Sequence, residues 1–241
     1  MRLFLFDVDG TLVNVQGAGR WSLTRAFEVT FGTLDLDRAA AGVRFDGRTD
    51  PVIIAEIAAC AGISREDLSV RKLDLEECYL TQLERRLREI GKIGPLPGVV
   101  PILDSLGRRG MPAGLLTGNT RSGAMMKLRA AALDEYFSDG AFGSDGEDRA
   151  ALGRLARERF ARRLGRGIGR EEVVVVGDAP EDVRAARANG YRSLAVGTGW
   201  TSLAALRAEA PDLVLTDLAD TESVLAWIAR ASKDPAGQGI S

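Results

Sequence analysis

Two hydrophobic rhythms alternate along this chain. Leu3–Phe6 (LFLF) is an unbroken apolar run that suits a central parallel strand buried on both faces, and it stops at Asp7 and Asp9. From about residue 16 to 94 the spacing becomes helical. Leu23, Ala26, Phe27 and Phe31 make one amphipathic stripe, ended by Gly32. A second helix is expected to start with Asp50 as N-cap and Pro51 at its first position and to run to Gly62. Ser64 and Asp67 form a capping-box pattern that opens a third helical region reaching Gly91, with Leu80, Leu83, Leu87 and Ile90 as its stripe. Gly94, Pro95, Pro97 and Gly98 then read as a return linker and hinge.

After the linker the rhythms alternate. Helix Val99–Arg109 precedes a strand near Met111–Leu116, and a helix follows Thr120. A short strand at Asp139–Phe142 leads to a helix through Leu152 and Phe160, and Glu172–Val176 (EVVVV) is the plainest strand of all. A helix through Ala185–Ala188, strand Ser193–Val196, helix Ser202–Ala208, strand Leu213–Leu215 and helix Thr221–Ala231 complete the series. Repeated βα units of this kind predict an α/β fold with a doubly wound parallel sheet. The expected organisation is a core of residues 1–15 and 95–232, an inserted helical block over 16–94, and a disordered tail over 233–241.

Composition narrows the chemistry. The 241 residues hold 32 basic and 34 acidic side chains, so no basic field marks a nucleic-acid partner. No apolar run approaches the ~20 residues of a membrane span, and Asp7 interrupts any would-be signal segment. Cys60 and Cys78 offer no disulfide framework, so a cytoplasmic, reducing location is expected. The chain contains no histidine. Histidine-based triads, histidine-ligated zinc and histidine acids are therefore excluded. Six residues after Cys60 and Cys78 stand Glu66 and Glu84 rather than arginine, which argues against cysteine phosphatase chemistry. Hydrolysis here must run on carboxylates, hydroxyls, lysine, arginine and a hard metal.

Three strand ends carry polar groups. The first, DVDGTL, gives Asp7 and Asp9 with Gly10 for a sharp turn. The second, LLTGNT, gives Thr117, Gly118 and Asn119: a hydroxyl and backbone amides suited to phosphate oxygens. The third, VVVVGDAPEDV, gives Asp178 and Asp182. In open parallel sheets, ligands bind at this end of the strands. A phosphate monoester surrounded by carboxylates needs a cation, and Mg²⁺ prefers oxygen ligands of this kind. A carboxylate nucleophile can split phosphate-ester hydrolysis into two displacements through an aspartyl-phosphate.

Together and in this order, these stretches resemble the first, second and fourth motifs of the haloacid dehalogenase-like superfamily, over nearly the whole chain. The helical block lies where that family's type 1 cap is inserted into a Rossmann-like core. The resemblance implies that Asp7 is nucleophile and metal ligand, Asp9 a ligand through its carbonyl, and Asp178 the other side-chain ligand. Asp182 would orient waters or the basic residue. The side chain of Asp9 would serve as acid and then base. The family's third-motif lysine is missing, since no lysine lies between Lys127 and Lys233; Arg149 occupies the matching place, with Arg154 a weaker candidate. Arginine keeps the charge and adds a bidentate fork.

The implied activity is that of a Mg²⁺-dependent phosphatase acting on a small phosphorylated metabolite, similar to phosphoglycolate phosphatases. Asp9 argues against the family's dehalogenases and phosphonatases, which lack a carboxylate there. The alternatives are a sugar-phosphate mutase resembling β-phosphoglucomutase and a non-catalytic regulator that binds a phosphometabolite. Arg48, in FDGRTD, is expected either to contact a second anion on the substrate or to pair with Asp46 or Asp50. The chain is expected to act without nucleic acid or membrane, as a monomer or homodimer.

Overall fold

The computed structural model describes residues 1–32 and 36–230. Strand β1 (Leu3–Phe6) stands near the middle of a six-stranded, all-parallel sheet. Its partners are β2 (Ala113–Leu116), β3 (Gly140–Ala141), β4 (Val173–Gly177), β5 (Arg192–Val196) and β6 (Leu213–Leu215), in the order β3-β2-β1-β4-β5-β6. Alternate residues of the apolar runs feed opposite faces. Phe4, Phe6, Val174 and Val176 enter one core cluster, while Leu3, Leu5, Val173 and Val175 enter another.

Between β1 and the linker Gly94–Gly98, the described residues form five helices. They are α1 (Ala18–Phe31), α2 (Leu36–Ala41), α3 (Asp50–Cys60), α4 (Arg65–Val70) and α5 (Lys72–Ile90). The sheet is wound by α6 (Val99–Arg108), α7 (Arg121–Ala130), α8 (Arg149–Leu164), α9 (Pro180–Asn189), α10 (Leu203–Ala208) and α11 (Thr221–Arg230). The expected third helical region is two helices rather than one. The Ser64 hydroxyl accepts the Asp67 amide, as the capping box requires, but the helix breaks at Arg71 before α5 begins. Helix α2 has no counterpart in the periodicity. The expected tail, 233–241, lies outside the described residues.

The chain runs from β1 outward through β2 to β3, then crosses back to β4 on the other side of β1. The carboxyl ends of β2, β1 and β4, which carry the three polar motifs, are thus side by side at the crevice where strand order reverses.

Candidate active site

Asp7 leaves β1 with its backbone amide still donating to Val176 of β4, so its carboxylate is held between the two strand ends. Gly10 then turns the chain at φ 75°, and a β-carbon there would lie 2.4 Å from an Asp178 oxygen. Only glycine meets both demands. Beyond the turn, the Thr11 hydroxyl donates to Asp178 Oδ1 at 2.9 Å.

Asp7, Asp178 and Asp182 are buried, and an oxygen from each lies within 4.8 Å of the others. Arg149, at the start of α8, is buried against them. Its Nη2 is 3.0 Å from Asp7 Oδ1 and 2.6 Å from Asp182 Oδ1. The same fork donates to the carbonyls of Leu116 and Gly47, tying β2 to the loop that carries Arg48. Burial alone would lower the guanidinium pKa, but Asp182 and Asp7 outweigh it and hold the pKa above the ordinary value. Arg154 is exposed and donates to Asn189 instead.

The acids pay for their proximity. Burial, then Asp7 and Asp182, push the Asp178 carboxyl well above the usual carboxylate range. Burial pushes Asp182 up to about 7, against the opposing pull of Arg149. Asp182 is already engaged, through Arg149 and through the Ala179 amide on Oδ2. Asp7 and Asp178 each have only Oδ1 engaged, by Arg149 and Thr11 respectively, so these two are the carboxylates that could hold a metal. Around the strand ends, the carboxylates Asp7, Asp9, Asp178 and Asp182 face the cations Arg149 and Lys127. The carboxyl groups outnumber the cations here, so a divalent cation in place of their protons would balance the charge, and an all-oxygen donor set suits a hard one. Arg149 Nε is buried without a partner, a donor left for a ligand oxygen.

The second motif is used differently from a simple phosphate cradle. The Thr117 hydroxyl, fully buried, accepts from the Asn119 side-chain amide at 2.8 Å. That amide also donates to Asp9 Oδ2 at 2.8 Å. A β-carbon on Gly118 would sit 1.9 Å from the Arg48 carbonyl, so glycine here lets the helical block come down onto β2. The Asp50–Pro51 pattern predicts Asp50 as the cap of α3, yet Thr49 takes the N-cap position and Asp50 is the first helical residue. Its backbone amide donates to Gly118 and its carboxylate accepts the Thr120 amide. Burial raises the Asp50 pKa to about 6.

Arg48 lines the cavity above Asp7, but its guanidinium makes two hydrogen bonds to the Glu56 carboxylate, at 2.5 and 2.6 Å. Its partner is Glu56 of α3, not Asp46 or Asp50. The group that periodicity overlooked is Lys127 of α7. Its ammonium is buried, 2.6 Å from Asp9 Oδ2 and 2.6 Å from Asn119 Oδ1. Ala124, Lys127, Leu128 and Ala131 share helical spacing, so a lysine on an apolar stripe was the available signal. The whole arrangement opens into a cavity of about 600 Å³ between the strand ends and the helical block, lined on the block's side by Leu23, Phe45, Ile53 and Tyr79.

The chain is 29% identical over 231 residues to phosphoglycolate phosphatase 1 of Pseudomonas aeruginosa, covering 91% of this chain and 78% of that one. It is 26% identical over 224 residues to the phosphoglycolate phosphatase of Agrobacterium fabrum, covering 90% and 89%. The fold matches the crystal structure of a hydrolase from Pseudomonas syringae with a TM-score of 0.70 at 23% identity, over 95% of this chain and 99% of that one. The family model for haloacid dehalogenase-like hydrolases matches residues 1–190. With its strand-end carboxylates gathered around a buried arginine, the chain belongs to the haloacid dehalogenase-like hydrolases.

Proposed function

We propose that this hydrolase is a Mg²⁺-dependent phosphatase that transfers the phosphoryl group of a small monoester to Asp7 and then to water. The observation that carries this reading is the buried Asp7 carboxylate, set between Arg149 and the Asp178 carboxylate at the floor of the cavity, with Asp9 two residues along on the same cavity wall. Mg²⁺ held by Asp7, Asp178 and the Asp9 carbonyl would neutralise the phosphate and the carboxylates as charge shifts between them. Arg149, 3.0 Å from Asp7 Oδ1, supplies further positive charge. In the first displacement, an Asp7 oxygen bonds to phosphorus as the ester P–O bond breaks, and Asp9 gives its proton to the leaving oxygen. In the second, the water oxygen bonds to phosphorus as Asp9 takes its proton, and the phosphorus–Asp7 bond breaks, which releases phosphate and restores Asp7 as a carboxylate and Asp9 as a carboxylic acid. Without histidine, this proton traffic falls to a carboxylate.

Metal binding has a readout that does not depend on activity. In the metal-free protein, Asp178 and Asp182 hold protons more tightly folded than unfolded, where a carboxyl titrates near 3.8. A raised folded pKa means that the native state binds more protons, so stability falls as pH rises from about 4 to about 7. A metal held by Asp178 would replace its proton. Addition of Mg²⁺ should therefore raise the melting temperature more at pH 8 than at pH 5, measured by scanning calorimetry against an EDTA control. Equal shifts at both pH values, or none, would remove the metal from these acids.

A phosphoglycolate-like substrate is favoured by the phosphoglycolate phosphatases among the relatives and by Arg48 at the cavity wall. The substrate's carboxylate would share or displace Glu56 on the Arg48 fork. Arg48→Ala is expected to lower kcat/KM for a carboxylated phosphoester by ~10–100-fold and to leave p-nitrophenyl phosphate almost unchanged. An equal drop on both substrates would place Arg48 in the structure of the helical block and withdraw the second anion.

A further inference from the structure

Resting on that reading of Asp9, we propose that Lys127 is a positioning residue that divides the work of the two Asp9 oxygens. Lys127 Nζ lies 2.6 Å from Asp9 Oδ2, and the Asn119 side-chain amide donates to the same oxygen at 2.8 Å. Lys127 also donates to Asn119 Oδ1, and Asn119 is held in turn by the Thr117 hydroxyl. Oδ2 is thus fixed by two donors that are themselves fixed. Oδ1, which receives neither, is the oxygen left to the cavity for exchanging a proton with the leaving group and with water.

The energetics favour a chemical role over a structural one. Lys127 is 2% exposed, and Asp9 is its one carboxylate partner in an ion pair among the described residues. Burying an ammonium costs several kcal/mol before its pairing is counted, and well-packed apolar residues commonly replace such pairs at no loss of stability. A methionine or leucine would complete the stripe of Ala124, Leu128 and Ala131 more simply. What an apolar residue cannot do is hold one rotamer of a half-exposed carboxylate. Space has also been left for the ammonium: a β-carbon on Gly19, in the first turn of α1, would lie 3.1 Å from Nζ and 3.9 Å from the Tyr79 hydroxyl oxygen. Gly19 and Tyr79 belong to the helical block, whereas Lys127, Asn119 and Asp9 belong to the sheet and its helices. The clamp on Asp9 is therefore roofed by the block.

The two displacements separate this role from general damage. With p-nitrophenyl phosphate the leaving group needs no proton, so the first step proceeds without a well-placed Asp9. The second step still needs Asp9 to take a proton from water. Lys127→Met in the full-length protein with Mg²⁺ should retain the burst of p-nitrophenolate and lose roughly 10- to 100-fold in steady-state rate, the cost of misplacing a proton-transfer group by about an ångström. Acid quench should show a larger phosphorylated fraction than in the wild type. Lys127→Ala should be restored in part by ethylammonium chloride and not by sodium chloride at equal ionic strength. Gly19→Val, which leaves every polar group in place while crowding Nζ, should reproduce the shift to a smaller extent and covers the case in which a Lys127 variant does not fold. A burst and a steady-state rate that fall by the same factor, or a Lys127→Ala variant indifferent to ethylammonium, would overturn the proposal. A wild-type enzyme that carries no phosphoryl group under the same quench would overturn the covalent route itself, a different result from unaltered partitioning in a phosphorylated variant.

Discussion

Asp7→Asn is expected to lower turnover by about 10⁴-fold or more while leaving the protein folded, the scale seen when a covalent nucleophile is removed. The amide matches the carboxylate in shape, so the packing between β1 and β4 has no reason to change. It cannot be phosphorylated and is a poor ligand for a hard cation. Folding should if anything benefit, because one of three mutually repelling buried acids becomes neutral. Steady-state rates with p-nitrophenyl phosphate and far-ultraviolet circular dichroism test both halves. Near-normal turnover with asparagine verified at position 7 would rule out Asp7 as the nucleophile.

Arg149→Met should be nearly as damaging, and in stability as well as rate. Arg149 is 7% exposed and is the guanidinium that Asp7 and Asp182 share. Its loss leaves three buried carboxylates facing one another without a cation. Removing one partner of a buried ion pair typically costs about 3–5 kcal/mol, and removing one preorganised charge from a reacting centre costs about 10²–10³ in kcat. Urea unfolding in EDTA should show the full loss, and Mg²⁺ should recover part of it by taking over the neutralising role. Arg149→Lys should recover the charge but not the geometry. One ammonium does not reach Gly47, Leu116, Asp7 and Asp182 as the planar fork does. A methionine variant with unchanged urea midpoint and unchanged kcat would show that Arg149 neither balances the acids nor aids the reaction.

These two residues differ in how they could be found in the sequence. Asp7 stands at the end of LFLF, where an apolar run that feeds both core clusters meets a glycine turn, and parallel pairing places it beside the ends of β2 and β4. Strand periodicity and motif order are local signals, and they led directly to Thr117, Asn119, Asp178 and Asp182. Arg149 depends on the absence of a lysine between Lys127 and Lys233. Lys127 is not legible in this way, because its partner Asp9 is 118 residues away and nothing in the spacing of α7 announces a carboxylate across the interface. Asp50 shows the limit of capping rules. An acid beside Pro51 reads as an N-cap, but here tertiary contacts with Gly118 and Thr120 recruit it to join the helical block to β2. Arg48 and Glu56 sit eight residues apart, from loop to helix, a separation that no regular periodicity pairs. Local structure was legible throughout most of the chain; the cross-links between the block and the sheet were not.

The central claim is that Asp7 carries the phosphoryl group. The direct measurement is rapid acid quench of the wild-type enzyme during turnover of p-nitrophenyl phosphate with Mg²⁺, followed by intact-mass analysis and peptide mapping. The account predicts a single added phosphoryl group on the peptide containing Asp7, absent from Asp7→Asn and increased in Asp9→Asn, where water is no longer activated. A rapidly turning-over enzyme that shows no such adduct, with none gained in Asp9→Asn, or an adduct mapped to another residue, would contradict it.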